Sequence, residues 1–117
     1  MKRTPKQNGT EAETEVVRYL LECGLTGARR SAPAGGADEG DIDGIDELAV
    51  QVKAHHRMEL AAWVDATTQQ ASRKGVPYFV VVHKRWRKSP KDWYVTLPLR
   101  VFVPLYARLL RSRSPVS

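Results

Sequence analysis

The segment DIDGIDELAVQVK (residues 41–53) ends in a stretch whose alternate side chains differ in character. Successive side chains of a β-strand point to opposite faces, so Val50 and Val52 share an apolar face while Gln51 and Lys53 share the other. A lysine on the inner face of a small sheet is costly in free energy unless an anionic group meets it. The segment therefore predicts a strand that carries an amide and an ammonium group toward something acidic.

Acidic groups are available on the stretch that precedes this strand. Asp41 and Asp43 are two residues apart, so a strand near residues 41–45 puts both carboxylates on one face. A tight connection at residues 46–47 leads into the second strand, near residues 48–54, and predicts a β-hairpin. Pairing of the two strands brings the carboxylates beside the amide and the ammonium group.

The rest of the chain predicts an α/β fold. Thr10 and Glu13 have the spacing of a capping box, which starts a helix at residues 11–23. The unbroken apolar run PYFVVVH at residues 77–83 is typical of a strand covered on both faces. The other predicted elements are an edge strand at 27–32, a helix at 59–74, a strand at 93–97, and a helix at 99–111 that contains Pro104 as a possible starting point.

This order of elements predicts a mixed β-sheet flanked by helices. At 117 residues, the chain has the size of one domain. We expect a single domain over residues 11–111, with a flexible basic arm at residues 1–10 and a flexible tail at residues 112–117.

Charge is divided unevenly along the chain, whose net charge is +6. Residues 1–53 contain seven Lys and Arg against ten acids, a net −3, whereas residues 54–117 contain twelve against three, a net +9. Positive charge concentrated in this way suits a polyanion, which favours DNA as the partner. No apolar run approaches the roughly 20 residues of a membrane helix, so we expect a cytoplasmic protein with no membrane partner.

Glu13 is the acid of the first predicted helix that leaves its charged stripe. At spacings of three and seven residues it lines up with Val16 and Leu20, so its carboxylate is expected to point at or beside the core. If this helix packs against the end of the sheet that carries the hairpin acids, Glu13 joins them in one pocket.

Such a pocket has the donors that a hard divalent cation prefers. Mg²⁺ takes carboxylate and amide oxygens together with water and phosphate oxygens, so the predicted ligands are Asp41, Glu13 and Gln51. Lys53 would lie beside the bound water or the phosphate, where it offsets negative charge as a phosphodiester is attacked.

These residues resemble those of a known family. Gly40-Asp41-Ile42 followed by Gln51-Val52-Lys53 resembles the D-x(n)-(E/Q)-x-K signature of the PD-(D/E)XK nuclease superfamily. The stretch from Gly9 to Glu13 resembles the GxxxE of the first helix of its archaeal and phage Holliday junction resolvases.

The resemblance covers most of the chain and implies a restriction-endonuclease-like fold. It implies Mg²⁺-dependent phosphodiester hydrolysis, with Mn²⁺ able to substitute, by a homodimer that cuts branched DNA in a bacterial or phage-infected cell. The four active-site positions then fall on Glu13, Asp41, Gln51 and Lys53.

Two positions depart from the family pattern. Gly40 stands where proline is usual, and Gln51 stands where a second acid is usual, which removes a formal charge from the metal ligands. In other members the missing acid lies on the neighbouring helix, for which Glu59 and Asp65 are candidates. Two alternatives therefore stay open: a non-catalytic module that binds branched DNA, and a restriction or repair endonuclease that acts on modified or damaged duplex.

Basic side chains outside the pocket are expected to contact DNA. The loop KRWRKSPK, with Trp86 inside it and Trp93 after it, has the composition of a phosphate-binding surface with aromatic contacts. The predicted DNA-binding residues are Lys6, Arg30, His55, Lys84, Arg85, Arg87 and Lys88.

Overall fold

A computed structural model describes residues 3–31 and 41–113. Within these residues the chain forms three helices and five strands, with a short 3₁₀ helix at Pro90–Asp92. In chain order the elements are α1 Pro5–Glu22, β1 Arg29–Arg30, β2 Asp41–Asp43, β3 Leu48–Lys53, α2 Leu60–Lys74, β4 Tyr78–His83, β5 Tyr94–Thr96 and α3 Leu99–Arg113. None of the described helices combines the length and the apolar character needed to cross a membrane.

The five strands form one mixed sheet in the order β1-β2-β3-β4-β5. Strands β3 and β4 are parallel, and the other neighbouring pairs are antiparallel. The parallel pair needs a crossover, which α2 provides. The predicted α/β fold, a mixed sheet flanked by helices, is confirmed.

The helices cover the two faces of the sheet. On one face Ala12 and Val16 of α1 pack with Ile42, Val50 and Val52. On the other face the apolar contacts come from α2 and α3, whose inner residues pack with β3 and β4. The buried members of this second cluster are Ala49, Ala71, Phe79 and Val101.

Helix α1 begins earlier than the sequence predicted. Thr4 is its N-cap and forms the capping box with Gln7, while Pro5 occupies the first turn, where a missing N–H costs nothing. The predicted start at Thr10 is therefore wrong, and residues 5–10 of the expected arm are helical. Similarly, α3 runs through Pro104 to Arg113, so residues 112–113 of the expected tail are helical.

Several predicted features fall outside the described residues. They are Gly40 and the start of the arm at residues 1–2, together with the last part of the tail at residues 114–117.

Candidate functional site

The hairpin pairs the predicted acid directly with the predicted amide. Asp41 and Gln51 are register partners across the antiparallel β2–β3 pair, so their side chains point to the same face. Both are buried, at 3% and 8% exposure. Lys53 lies two residues further along β3 on the same face and is half-buried. It is therefore the diagonal neighbour of Asp41, and residues in that relation are generally about 7–8 Å apart. Asp41, Gln51 and Lys53 thus lie together on one face of the hairpin, which we call the hairpin face.

Helix α2 covers the hairpin face. Alternation along β3 puts Ala49 on the same side as Gln51, and Ala49 packs with Ala71 of α2. The inward stripe of α2 is fully or nearly buried and includes two polar residues, Thr67 and Gln70. The candidate site therefore lies between the sheet and α2.

Lys74, at the last turn of α2, brings a positive charge to the acids of β2. Its Nζ lies 3.3 Å from Oδ1 of Asp43 and 4.0 Å from Oδ2 of Asp41. Burial acts to raise the pKa of Asp43, but hydrogen bonding and the charges of Lys74 and Arg29 outweigh it and hold that pKa below its ordinary value. Asp43 is therefore ionised at neutral pH.

Gln70 lies one helical turn before Lys74. The residue is 5% exposed, and its Nε2 has no hydrogen-bond partner among the described residues. A buried amide donor normally has a partner, because leaving it unsatisfied costs about 1–3 kcal/mol. An oxygen atom of a ligand or of water near the hairpin face would satisfy it.

Glu13 is buried, as predicted, but its carboxylate is held by another group. Its Oε1 accepts a hydrogen bond from Nε of Arg30 at 2.9 Å. Arg30 is the register partner of Ile42, so it points to the sheet face that α1 covers, opposite to Asp41. The structure thus brings Asp41, Gln51 and Lys53 together and keeps Glu13 on the other side of the sheet, at the same edge.

The oxygen donors of the hairpin face, together with neighbouring Asp43, suit a metal ion that is only partly held by protein. No three His, Cys, Asp or Glu side chains within residues 3–31 and 41–113 are grouped so that they could hold a metal ion. Asp41 and Asp43 supply carboxylate oxygens and Gln51 an amide oxygen, and Mg²⁺ commonly keeps waters and takes phosphate oxygens for its other positions. Glu59 and Asp65, the proposed replacements for the missing acid, are both exposed, Glu59 as the N-cap of α2 and Asp65 within the helix.

The tryptophans of the basic loop are engaged within the protein. Trp93 is buried, and its Nε1 donates to the carbonyl of Lys88 at 2.8 Å. The ring of Trp86 stacks on His56 with centroids 3.8 Å apart, and Nζ of Lys84 lies 4.4 Å from its centroid. These contacts give both rings a structural role. Because the ring of Trp93 is buried, it is not available for the aromatic contact to DNA that the sequence predicted.

The predicted DNA-contact residues divide into two groups. Three are held by internal partners: Arg30 by Glu13, Lys84 by Glu15 at 3.8 Å, and Arg85 by the carbonyl of Asp92 at 3.1 Å. The others have exposed side chains suited to a phosphate backbone. They are Lys6, His55, Arg87 and Lys88.

His83 lies beside Lys53, at one end of the site, and predicts a pH dependence of the folding stability. The two residues are register partners, and Nε2 of His83 lies 2.8 Å from Oγ1 of Thr96. Burial lowers the pKa of His83, so the folded state favours the neutral ring. Below about pH 6.5 the unfolded chain takes up the proton first, and stability therefore falls as the pH drops toward the folded-state pKa.

We expect the urea midpoint to decrease between pH 7 and pH 5.5, and His83→Gln to flatten this decrease. His55→Gln is the matched control, because His55 is exposed and should leave the slope unchanged. Equal slopes in wild type and His83→Gln would contradict the assignment.

No protein-family model, curated protein or solved structure matches this chain. A fold alone does not specify a function. The function is therefore argued from the side chains of the site.

Proposed function

We propose that this protein is a Mg²⁺-dependent endodeoxyribonuclease that acts on branched DNA, with a chemistry like that of the Holliday junction resolvases it resembles. The observation that carries the proposal is the pairing of buried Asp41 with Gln51, on the same face as Lys53. A carboxylate, an amide oxygen and an ammonium group on one face of the hairpin suit a cation and a phosphodiester together.

Each side chain has a distinct task in this proposal. Asp41 and Gln51 offer oxygen ligands, and a bound divalent ion would polarise the phosphate and lower the pKa of the attacking water. Lys53 stabilises the negative charge that develops on the phosphate oxygens. Glu13 is paired with Arg30 on the opposite face of the sheet, so its role in this proposal is to hold β1 against α1 beside the site.

Charge and exposed basic side chains support DNA as the substrate. The net +9 of residues 54–117 creates an attractive field for a polyanion, and Arg87 and Lys88 are exposed within it. These contacts go to phosphates and carry no base specificity, which suits recognition of a DNA shape.

A homodimer would supply the two symmetric incisions that a four-way junction needs. Helix α3 offers a surface for this contact: Val101 is buried against the sheet, but the outer face of the helix is apolar and exposed. Its exposed members are Leu99, Phe102, Val103, Tyr106, Leu109 and Leu110.

The test uses purified protein with four-way, flap, mismatched and linear duplex DNA in Mg²⁺ or Mn²⁺. We expect paired nicks near the centre of the four-way junction, lost in Lys53→Ala and retained in Lys91→Ala, which removes an exposed lysine elsewhere. Preferential cutting of modified linear duplex would favour a restriction or repair enzyme instead.

A second candidate is a branched-DNA-binding module without catalysis. It is favoured by the neutral Gln51 at the second-acid position and by the ion pairs of Lys74 with both β2 acids, which weaken the attraction for a metal ion. Tight binding of junction DNA without cleavage in either metal would establish this candidate and exclude the nuclease.

A further inference from the structure

Lys74 is the charged group on α2 that reaches the acids of the hairpin. It bridges Asp43 at 3.3 Å and Asp41 at 4.0 Å, and its side chain is 33% exposed. Its ammonium group therefore lies at the carboxylates that a divalent cation would use. Two cations compete for one carboxylate pair, and their mutual repulsion rises as they approach.

A second observation concerns a buried donor on the same helix. One turn before Lys74, the buried Nε2 of Gln70 has no hydrogen-bond partner among the described residues. It donates to an acceptor, as a phosphate oxygen or a metal-bound water would offer, and it cannot coordinate a cation itself. Helix α2 thus brings a donor and a positive charge, both complementary to a phosphate group.

We propose that Lys74 is a resident cation that keeps the affinity of the Asp41–Asp43 pair for divalent metal low until the phosphodiester of DNA is present. A phosphate adds negative charge beside the carboxylates and accepts a hydrogen bond from Lys74, whose side chain is 33% exposed. The phosphate would then supply oxygen ligands to the metal ion and, at the same time, an anionic partner to the competing Lys74. This inference rests on the proposed function, because it assigns regulation to the same site.

The test is a titration of the DNA-free protein with Mn²⁺, in which calorimetry measures the binding affinity. We expect Lys74→Met to bind Mn²⁺ about tenfold more tightly than wild type, because a repelling charge within a few ångströms of the ion is removed. Lys74→Arg keeps the charge and should retain the wild-type affinity.

Arg73→Met is the matched control, since it removes one positive charge from an exposed neighbour on the same helix and should change the affinity less than twofold. Thermal unfolding of each variant shows that the fold is retained. A Lys74→Met affinity equal to or weaker than wild type overturns the inference, as does a failure of every variant to bind Mn²⁺.

The titration separates this inference from the proposed function. Unchanged Mn²⁺ affinity in Lys74→Met, together with normal cleavage by wild type, overturns the role of Lys74 and leaves the nuclease intact. Tighter binding in Lys74→Met by a protein that cuts no DNA supports the role of Lys74 and overturns the nuclease.

Discussion

Asp41→Asn is expected to reduce the rate of junction cleavage by about a hundredfold or more, since even the supporting residues of metal sites are worth about 10–100-fold. Asp41 lies at the centre of the site: it is the register partner of Gln51, it shares a face with Lys53, and it lies 4.0 Å from Lys74. Asparagine keeps the shape of the side chain but removes the charge that attracts the cation. Because its register partner Gln51 is already neutral, Asp43 would be the one carboxylate left to attract the cation among the proposed ligands on β2 and β3.

The measurement is single-turnover cleavage of a four-way junction in saturating Mg²⁺. Asp46→Asn is the matched control, because Asp46 is an exposed acid in the turn of the same hairpin and should retain full activity. Circular dichroism at the assay temperature shows that both variants are folded. Cleavage by Asp41→Asn within about threefold of wild type would remove Asp41 from the mechanism.

The hairpin could be predicted because its signals are local. Alternation of apolar and polar residues assigns each side chain of β3 to a face, and the structure has Gln51 and Lys53 where the alternation predicts them. The run at residues 77–83 was predicted from a different local signal, its unbroken apolar composition, and it forms β4 at Tyr78–His83. An alternating pattern depends only on residues close together in the sequence, so it predicts a strand without information about the rest of the fold.

The partner of Glu13 could not be predicted, because it depends on which face of the sheet each element meets. The sequence indicates that Glu13 is buried, yet the ion pair with Arg30 follows from the register of β1 on β2. Helical spacing likewise shows that Gln70 and Lys74 are four residues apart, but not that α2 lies over the hairpin face. The role of Lys74 was missed because the crossover that positions α2 is a property of the whole sheet.

The start of α1 had a local signal that competed with another. Thr4, Pro5 and Gln7 form a capping box with proline in the first turn, and Thr10 with Glu13 has the same spacing. Gly9 made the earlier start less attractive, since glycine weakens a helix interior by about 1 kcal/mol. The low helix propensity of Gly9 was outweighed by the capping box at Thr4, which satisfies the backbone N–H groups of Thr4 and Gln7.

Gly44→Ala is expected to lower the free energy of unfolding by about 3 kcal/mol or more, through a steric conflict that cannot relax easily. Gly44 follows Asp43 at the end of β2 and has φ +86°. A methyl group at this position would overlap the carbonyl oxygen of Gly27, and a methyl group on Gly27 would lie 2.8 Å from the carbonyl oxygen of Gly44. The two backbones are in direct contact, which fixes the approach to β1 against the hairpin.

Gly24→Ala is the matched control for the backbone conformation alone. Gly24 has φ +95°, and a methyl group there would meet no atom within 4 Å, so the expected cost is only the about 1–2 kcal/mol of a left-handed residue. Urea denaturation of both variants measures the loss in free energy of unfolding for each. The difference between the two losses is the cost of the steric conflict with Gly27. Equal losses would mean that the Gly27–Gly44 contact can open without cost. The β1 edge would then be free to move relative to Asp41, and the part-buried ion pair of Glu13 with Arg30 could not be held by the packing described.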